Sequence, residues 1–424
     1  MAFPALLNRL PDQTLHFIAR GYDFTRDVWH AAGQQARATG FRVLGKRAVL
    51  VRGAEGVRTF YDTDRVKRHG AMPEFIKGPL FGQGTVHDMD GEAHRHRKAT
   101  FVRIAYDDAQ VERLQPLLEQ TWAEEKAAWL AGGKRTAYDA AVGASGRAVM
   151  RWAGVPGPDS DLTEWAGQLA QIVDSFGAVS PQHLLARANR ERSDRHAADL
   201  IAAVRAGHLD PAPGTALREI ADHRELDGNQ LDDRQAGVEF QNVIRPTIAT
   251  SLFVALAGAA LHTYPQWRER IAAETAERGT TAGGPLAMAF AQEVRRRYPF
   301  VPMLPATATE RTRVGGETIE PGDMVLIDIQ GTNLDDESWE RPDVFDPERF
   351  MGVDAESIKT FVPQGGGDVR TGHRCPGEKI AVAAIAVGVA TLSDPALRIS
   401  GEGLDFPRHR MPTKPRSGVK VTAA

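Results

Sequence analysis

The chain has 424 residues, with 55 acidic against 52 basic side chains for a formal charge of −3, and is 42% hydrophobic and 25% charged. These values are ordinary for a globular chain, and the near balance of charge gives no basis for nucleic acid or an anionic membrane as partner. The single cysteine excludes an intrachain disulfide and fits a reducing cytoplasm, and the sequence has no unbroken apolar run of bilayer-spanning length.

Residues 1–10 are too short and too soon broken for a signal sequence, so no membrane anchor is expected. Residues 11–35 read as a helix with Leu15, Phe17, Ile18, Tyr22 and Trp29 as its apolar positions. Phe41 to Val51 reads as two short strands about a Gly45-Lys46 turn, and 55–69 returns to helical spacing. The Gly-rich stretch 70–92 reads as a loop, unusually apolar through Phe81, Val86, His87 and Met89, and so a candidate pocket wall. A helix starts at Ala93, where His94 and Lys98 share a face. They form either a solvated basic helix end or a grip for an anionic group.

From 108 to 270 the chain is mostly helical. Breaks fall at Gly132-Gly133, Val155 to Pro158, Ser180-Pro181 and Leu209 to Gly214, and none has the composition of a domain linker. The expectation is one domain over 1–424. A long helix from about 230 to 261 carries Phe240, Ile244, Ile248, Ser251 and Ala255 on one stripe. Its only charge between Phe240 and Leu261 is Arg245, followed by Pro246, which lacks an N–H and bends a helix. A guanidinium inside an apolar helix is costly unless paired. Arg245 therefore either meets a distant structural carboxylate or awaits an anionic ligand, which it would hold bidentately.

A helix at 285–298 places Glu293 and Arg296 three apart, within reach of Arg349. Tyr298 to Pro302 breaks it and brings Phe300 towards the pocket. Val314 to Asp328 reads as a hairpin about Glu320 to Asp323, and a small sheet closes the C-terminus. Between them lies Phe361-Val-Pro-Gln-Gly-Gly-Gly-Asp-Val-Arg-Thr-Gly-His-Arg-Cys375-Pro-Gly-Glu378, followed at once by the apolar helix Lys379 to Ala390. An isolated cysteine is usually a small buried hydrophobe. Here glycines that let backbone approach a flat ligand, a following helix N-terminus and a lone sulfur suit the proximal position of a haem iron.

This run resembles the haem-binding loop of a cytochrome P-450. It is most similar to the fatty-acid peroxygenase branch, through the extra length from Gly365 to Thr371. Gly82 to Lys98 and Arg245-Pro246 resemble the same branch, so the likeness runs over nearly the whole chain. The resemblance implies a mainly α fold with small β-sheets, haem b (iron protoporphyrin IX) lying between the long central helix and the cysteine-loop helix. It implies Cys375 as iron ligand, His94, Lys98 and His373 as haem contacts, and Glu293, Arg296 and Arg349 as a structural tie. Arg245-Pro246 stands where ordinary members carry a proton-delivering acid–alcohol pair. Arg245 would thus hold a fatty-acid carboxylate, with Phe300 on the substrate. His87 would face the distal pocket and, titrating near neutrality, tune proton delivery. Arg297 and Val301 stand where relatives tend to carry aromatics, which bears on pocket shape. The expected partners are a fatty acid and hydrogen peroxide, with no redox protein. The rivals are a reductase-fed monooxygenase, a non-catalytic haem sensor and a hydroperoxide isomerase or dehydratase.

Overall fold

The computed structural model describes residues 11–176 and 182–424, so residues 1–10 and the expected Ser180-Pro181 break lie outside the described residues. Helices dominate. The long helix runs Asp233–Thr263, started by the Asp232 side chain accepting from the Gln235 N–H, and continues through Pro246. It is buried along nearly its whole length, against the helices Ala137–Trp152, Gln182–Arg205 and Glu378–Leu392. It is long and apolar enough to cross a bilayer by length and composition, but 83% of its apolar window is buried inside the protein.

Small residues set how closely these helices meet. A methyl on Gly388 of the cysteine helix would lie 2.9 Å from Trp122 and 3.1 Å from Val254 of the long helix. Overpacking of that kind costs about 1–3 kcal/mol. Behind the cysteine helix, Arg296 grips Glu293 through two bonds of 2.7 Å, and Arg349 stands 4.0 Å from the same carboxylate. The expected three-residue tie is present, with Arg349 turned mainly to the carbonyls of Glu340 and Arg341.

The β-structure comprises β1 (Ala38–Val43), β2 (Lys46–Val51), β3 (Val66–Lys67), β4 (Met303–Ala308), β5 (Thr312–Val314), β6 (Glu317–Ile319), β7 (Met324–Asp328), β8 (Leu397–Ile399) and β9 (Val421–Ala423). The main sheet has the order β1-β2-β7-β4-β3, with β2 and β7 parallel in the register Ala48↔Met324 and the other neighbours antiparallel. The small C-terminal sheet is the pair β8–β9.

Several local expectations are corrected. The 11–35 helix is two, Thr14–Arg20 and Asp23–Ala32, broken at Gly21, whose φ of +54° and contact with the backbone of residues 408–409 admit no side chain. Leu15 and Ile18 face solvent there. Residues 55–69 form a shorter helix, Gly53–Phe60, and then β3, because Val66 pairs with Ala308 far along the chain. The 70–92 loop contains a helix, Glu74–Phe81, around Pro79, and a 3-10 turn, Val86–Asp88. The first hairpin turns at Leu44-Gly45, both with positive φ as a two-residue turn between twisted strands requires. The later hairpin turns at Gly315-Gly316, while 320–323 leads on to β7 in another sheet.

Candidate active site

The cysteine loop is held by its backbone. Val362 N–H donates to the Asn333 side chain at 2.9 Å, and Cys375 N–H donates to the Gln364 carbonyl at 3.1 Å. Asp368 closes the extra length by accepting from Arg370 N–H, Thr371 N–H and the Thr371 hydroxyl at 2.9, 2.7 and 2.8 Å. The turn folds onto Tyr61, where a methyl on Gly366 would lie 2.9 Å from the ring and 2.8 Å from Val362. Glu378, in the first turn of the cysteine helix, is bonded on both sides by buried cations: Arg374 at 2.6 Å and Arg295 at 2.5 Å. Burial pushes the Cys375 thiol up, with Glu378 adding to it, while Lys98, the Gly377 N–H and Arg295 oppose. The helix N-terminus alone therefore does not make this sulfur a thiolate, contrary to expectation; a coordinated metal would do so outright.

Above the sulfur lies a cavity of about 340 Å³. Its walls bring together all eight residues singled out from the sequence: His87, His94, Lys98, Arg245, Pro246, Phe300, His373 and Cys375. His94 and His373 stack with ring centroids 4.0 Å apart, and His373 points to Asp90 at 3.5 Å. Burial holds His94 down to about 3, aided by His373 and Lys98, and burial also lowers His373 against the pull of Asp90. Both rings are thus neutral donors. Lys98 is pulled down to about 8 by burial, and its ammonium donates to the Arg374 carbonyl.

The sequence reading missed Arg68, which lines the same cavity, lies 3.8 Å over the Phe60 ring and is lowered to about 10 by burial. It sits in a stretch read as helix, and no local pattern marks it. It also missed Asp90, which accepts from the Arg68 and His69 N–H groups and so joins β3 to the His373 rim.

On the long helix, Arg245 is 2% exposed. Its Nη2 donates to the Asn242 side-chain oxygen, and its Nη1 has no partner among the described residues. Among the described residues no carboxylate pairs with it directly, which argues against a structural ion pair as the account of this residue. Burial, then Arg190, lowers it to about 9, so it is a cation at neutral pH. The His87 side chain is exposed to the cavity, its ring 4.4 Å from that of Phe81. Burial and then Arg245 push it down to about 3, so the expectation of a group titrating near neutrality is corrected. Phe300 stacks on Phe176 at 6.4 Å, its carbonyl fixed by the Tyr22 hydroxyl at 2.6 Å.

A porphyrin requires one axial donor, cationic or N–H groups for its propionates, and apolar walls. The cavity supplies one thiol, that of Cys375, the buried Lys98 and Arg68 with donors to spare, the neutral imidazoles of His94 and His373, and side chains such as Phe101, Ala249, Phe253 and Ile380. The residues fit haem b, and the class is a haem-thiolate protein.

The cytochrome P-450 family profile matches residues 247–392. The structure is similar to cytochrome P450SP alpha in complex with ibuprofen, with TM-score 0.88 and 37% identity over 98% of each chain. It is similar to cytochrome P450EX alpha with myristic acid (TM-score 0.86, 31% identity, 98% of this chain and 97% of that one). It is similar also to an OleT variant in complex with arachidonic acid (TM-score 0.89, 30% identity, again 98% and 97%). Among curated relatives, cyclooctat-9-en-7-ol 5-monooxygenase of Streptomyces melanosporofaciens is 29% identical over 42% of this chain and 40% of its own. The chain thus aligns with less than half the length of that relative, and with 21% of carnosic acid synthase of Rosmarinus officinalis. The chain belongs to the cytochrome P-450 superfamily, in its fatty-acid peroxygenase branch.

Proposed function

We propose that the protein, as a single haem-thiolate domain, oxidises fatty acids with hydrogen peroxide. It hydroxylates them at the α or β carbon and decarboxylates a share of them to terminal alkenes. The observation that carries this reading is Arg245: a buried guanidinium facing the cavity with one nitrogen unpaired among the described residues. The molecules named with the three similar structures are all carboxylic acids.

Haem b, ligated by Cys375, supplies peroxide activation and hydrogen abstraction when bound. Arg245 holds the substrate carboxylate by a charge-assisted pair, placing the first carbons of the chain at the reacting centre. Pro246 occupies the position where an alcohol or acid would otherwise deliver protons. The carboxylate held on the guanidinium takes that role, accepting and returning a proton at its free oxygen, so the site is complete only with substrate present. Neutral His87 lends an N–H and an acceptor beside that carboxylate without competing for its charge. Phe81, Phe300 and Val301 exclude water around the alkyl chain. A lone cysteine suits the cytoplasm as the place of action.

The test is turnover of a saturated fatty acid by the holoenzyme with peroxide alone, against NAD(P)H with a reductase and ferredoxin. Peroxide-driven turnover of the free acid, with none of its methyl ester, supports the reading. Equal reaction of the ester, or turnover only with the reductase, refutes it.

A further inference from the structure

Glu239 lies on the long helix one turn before Val243 and is fully buried, and its two carboxylate oxygens serve different parts of the distal cavity. Oε1 accepts the Val86 N–H at 2.8 Å and Arg97 Nη1 at 2.9 Å. Oε2 accepts the Asn242 side-chain amide at 3.0 Å. The first arm ends on the 3-10 turn that carries His87. The second ends on Arg245, because the Asn242 oxygen receives Arg245 Nη2.

Asn242 has a fixed sense. Its nitrogen faces two acceptors, Glu239 and the Phe81 carbonyl at 3.1 Å, so its oxygen is left to face the guanidinium. On the outer side Arg97 is matched by Glu225 through bonds of 2.9 and 2.8 Å, so charges alternate from Glu225 to Arg245. A guanidinium does not release its proton at physiological pH, so this row cannot be a proton wire. It acts as a brace. A simple tie between helices would need only the Arg97–Glu239 pair. The bonds to Val86 and Asn242 add a fixed spacing between the turn of His87 and the head of Arg245.

We infer that Glu239 is a positioning residue that sets His87 against Arg245 across the cavity, and so governs which carbon of the bound acid is oxidised and how much is decarboxylated. This rests on the fatty-acid reading above. Glu239 touches neither substrate nor haem in this role. It works through Asn242 and through the Val86 backbone.

The experiment uses holoenzyme of the wild type and of Glu239→Gln, Glu239→Asp, Val86→Pro and Val86→Ala. Three quantities are read: the Soret shift on titration with myristic acid without peroxide, the product ratio with peroxide, and the melting temperature. Glu239→Gln takes away the charge and frees Asn242 to turn, so the dissociation constant is expected to rise about tenfold and the product ratio to change about threefold. Glu239→Asp, which keeps the charge, should recover part of both.

Val86→Pro removes the N–H but also exchanges a buried side chain on the cavity wall, so Val86→Ala, which keeps the N–H, is its control. Val86 opens its turn and follows Thr85 at φ −91°, ψ 165°, a setting that accepts proline. It should change the product ratio while leaving the dissociation constant within about twofold, since the Arg245 arm is intact. Lowered melting temperatures with unchanged ratio and affinity would reduce Glu239 to a structural ion pair and overturn the inference. Should the Glu239 variants fail to hold haem, Val86→Pro read against Val86→Ala decides: a ratio moved by the proline and not by the alanine supports the inference, and equal ratios overturn it. A wild type with no myristate-induced shift refutes the functional reading and the inference with it. A wild type that responds, beside variants that match it, refutes the inference only.

Discussion

Arg245 leans on Asn242, one turn back along the same helix, and keeps one terminal nitrogen for a partner that the described residues do not supply. A buried cation in that state weakens the empty fold and strengthens binding of an anion. Arg245→Leu is therefore expected to act in two directions. Fatty-acid affinity should fall about tenfold to a hundredfold with the loss of a charge-assisted pair. The melting temperature of the substrate-free protein should hold or rise. Titration of the Soret band and a thermal melt on one preparation check both.

The same residue gives a dependence on pH. Burial holds Arg245 at about 9, below the ordinary arginine value. A base with a lowered pKa keeps its charge below that value and loses it as pH rises through it. Myristate affinity should be flat from neutral pH to about 8 and then decline through 9, with an ionised carboxylate throughout. A decline that starts near 6 would point to a histidine instead.

His87 is held down to about 3 by burial and by Arg245, so it stays neutral at every pH at which the enzyme is used. The alkene-to-hydroxy-acid ratio should show no inflection between about pH 6 and 8, where an unperturbed imidazole would titrate. His87→Gln should nonetheless move the ratio, because the two side chains place their polar atoms differently. An unchanged ratio in that variant removes His87 from the mechanism.

Gly366→Ala brings a methyl to 2.9 Å from Tyr61 and 2.8 Å from Val362. The expected loss is about 1–3 kcal/mol of stability, with weaker haem retention, since the strained turn carries the cysteine. Tyr61→Ala in the same chain should return part of that loss. Haem content after gel filtration and a melt of each variant measure it.

The sequence carried the site better than the local structure. Cys375, Arg245-Pro246 and the His94–Lys98 pair are short-range patterns, and each lies on the wall of one cavity. The small strand β3 and the 3-10 turn were not legible, because their partners are distant: Ala308 for Val66 and Glu239 for Val86. Arg68 was invisible for the same reason, since a cation beside Phe60 has no signature of its own. The charge states of His87 and Cys375 were misjudged because a linear pattern does not report burial, which joins the nearby cations in lowering His87 and outweighs Lys98, the Gly377 N–H and Arg295 at Cys375.

The contact of Gly366 with Tyr61 also bears on how such a chain diverges over generations. Two positions far apart in the gene are coupled in order: a side chain at 366 costs less once the ring has shrunk, with Val362 still against it, and the reverse order passes through a less stable ancestor. History, as well as chemistry, would then be written in which of the two sites varies first.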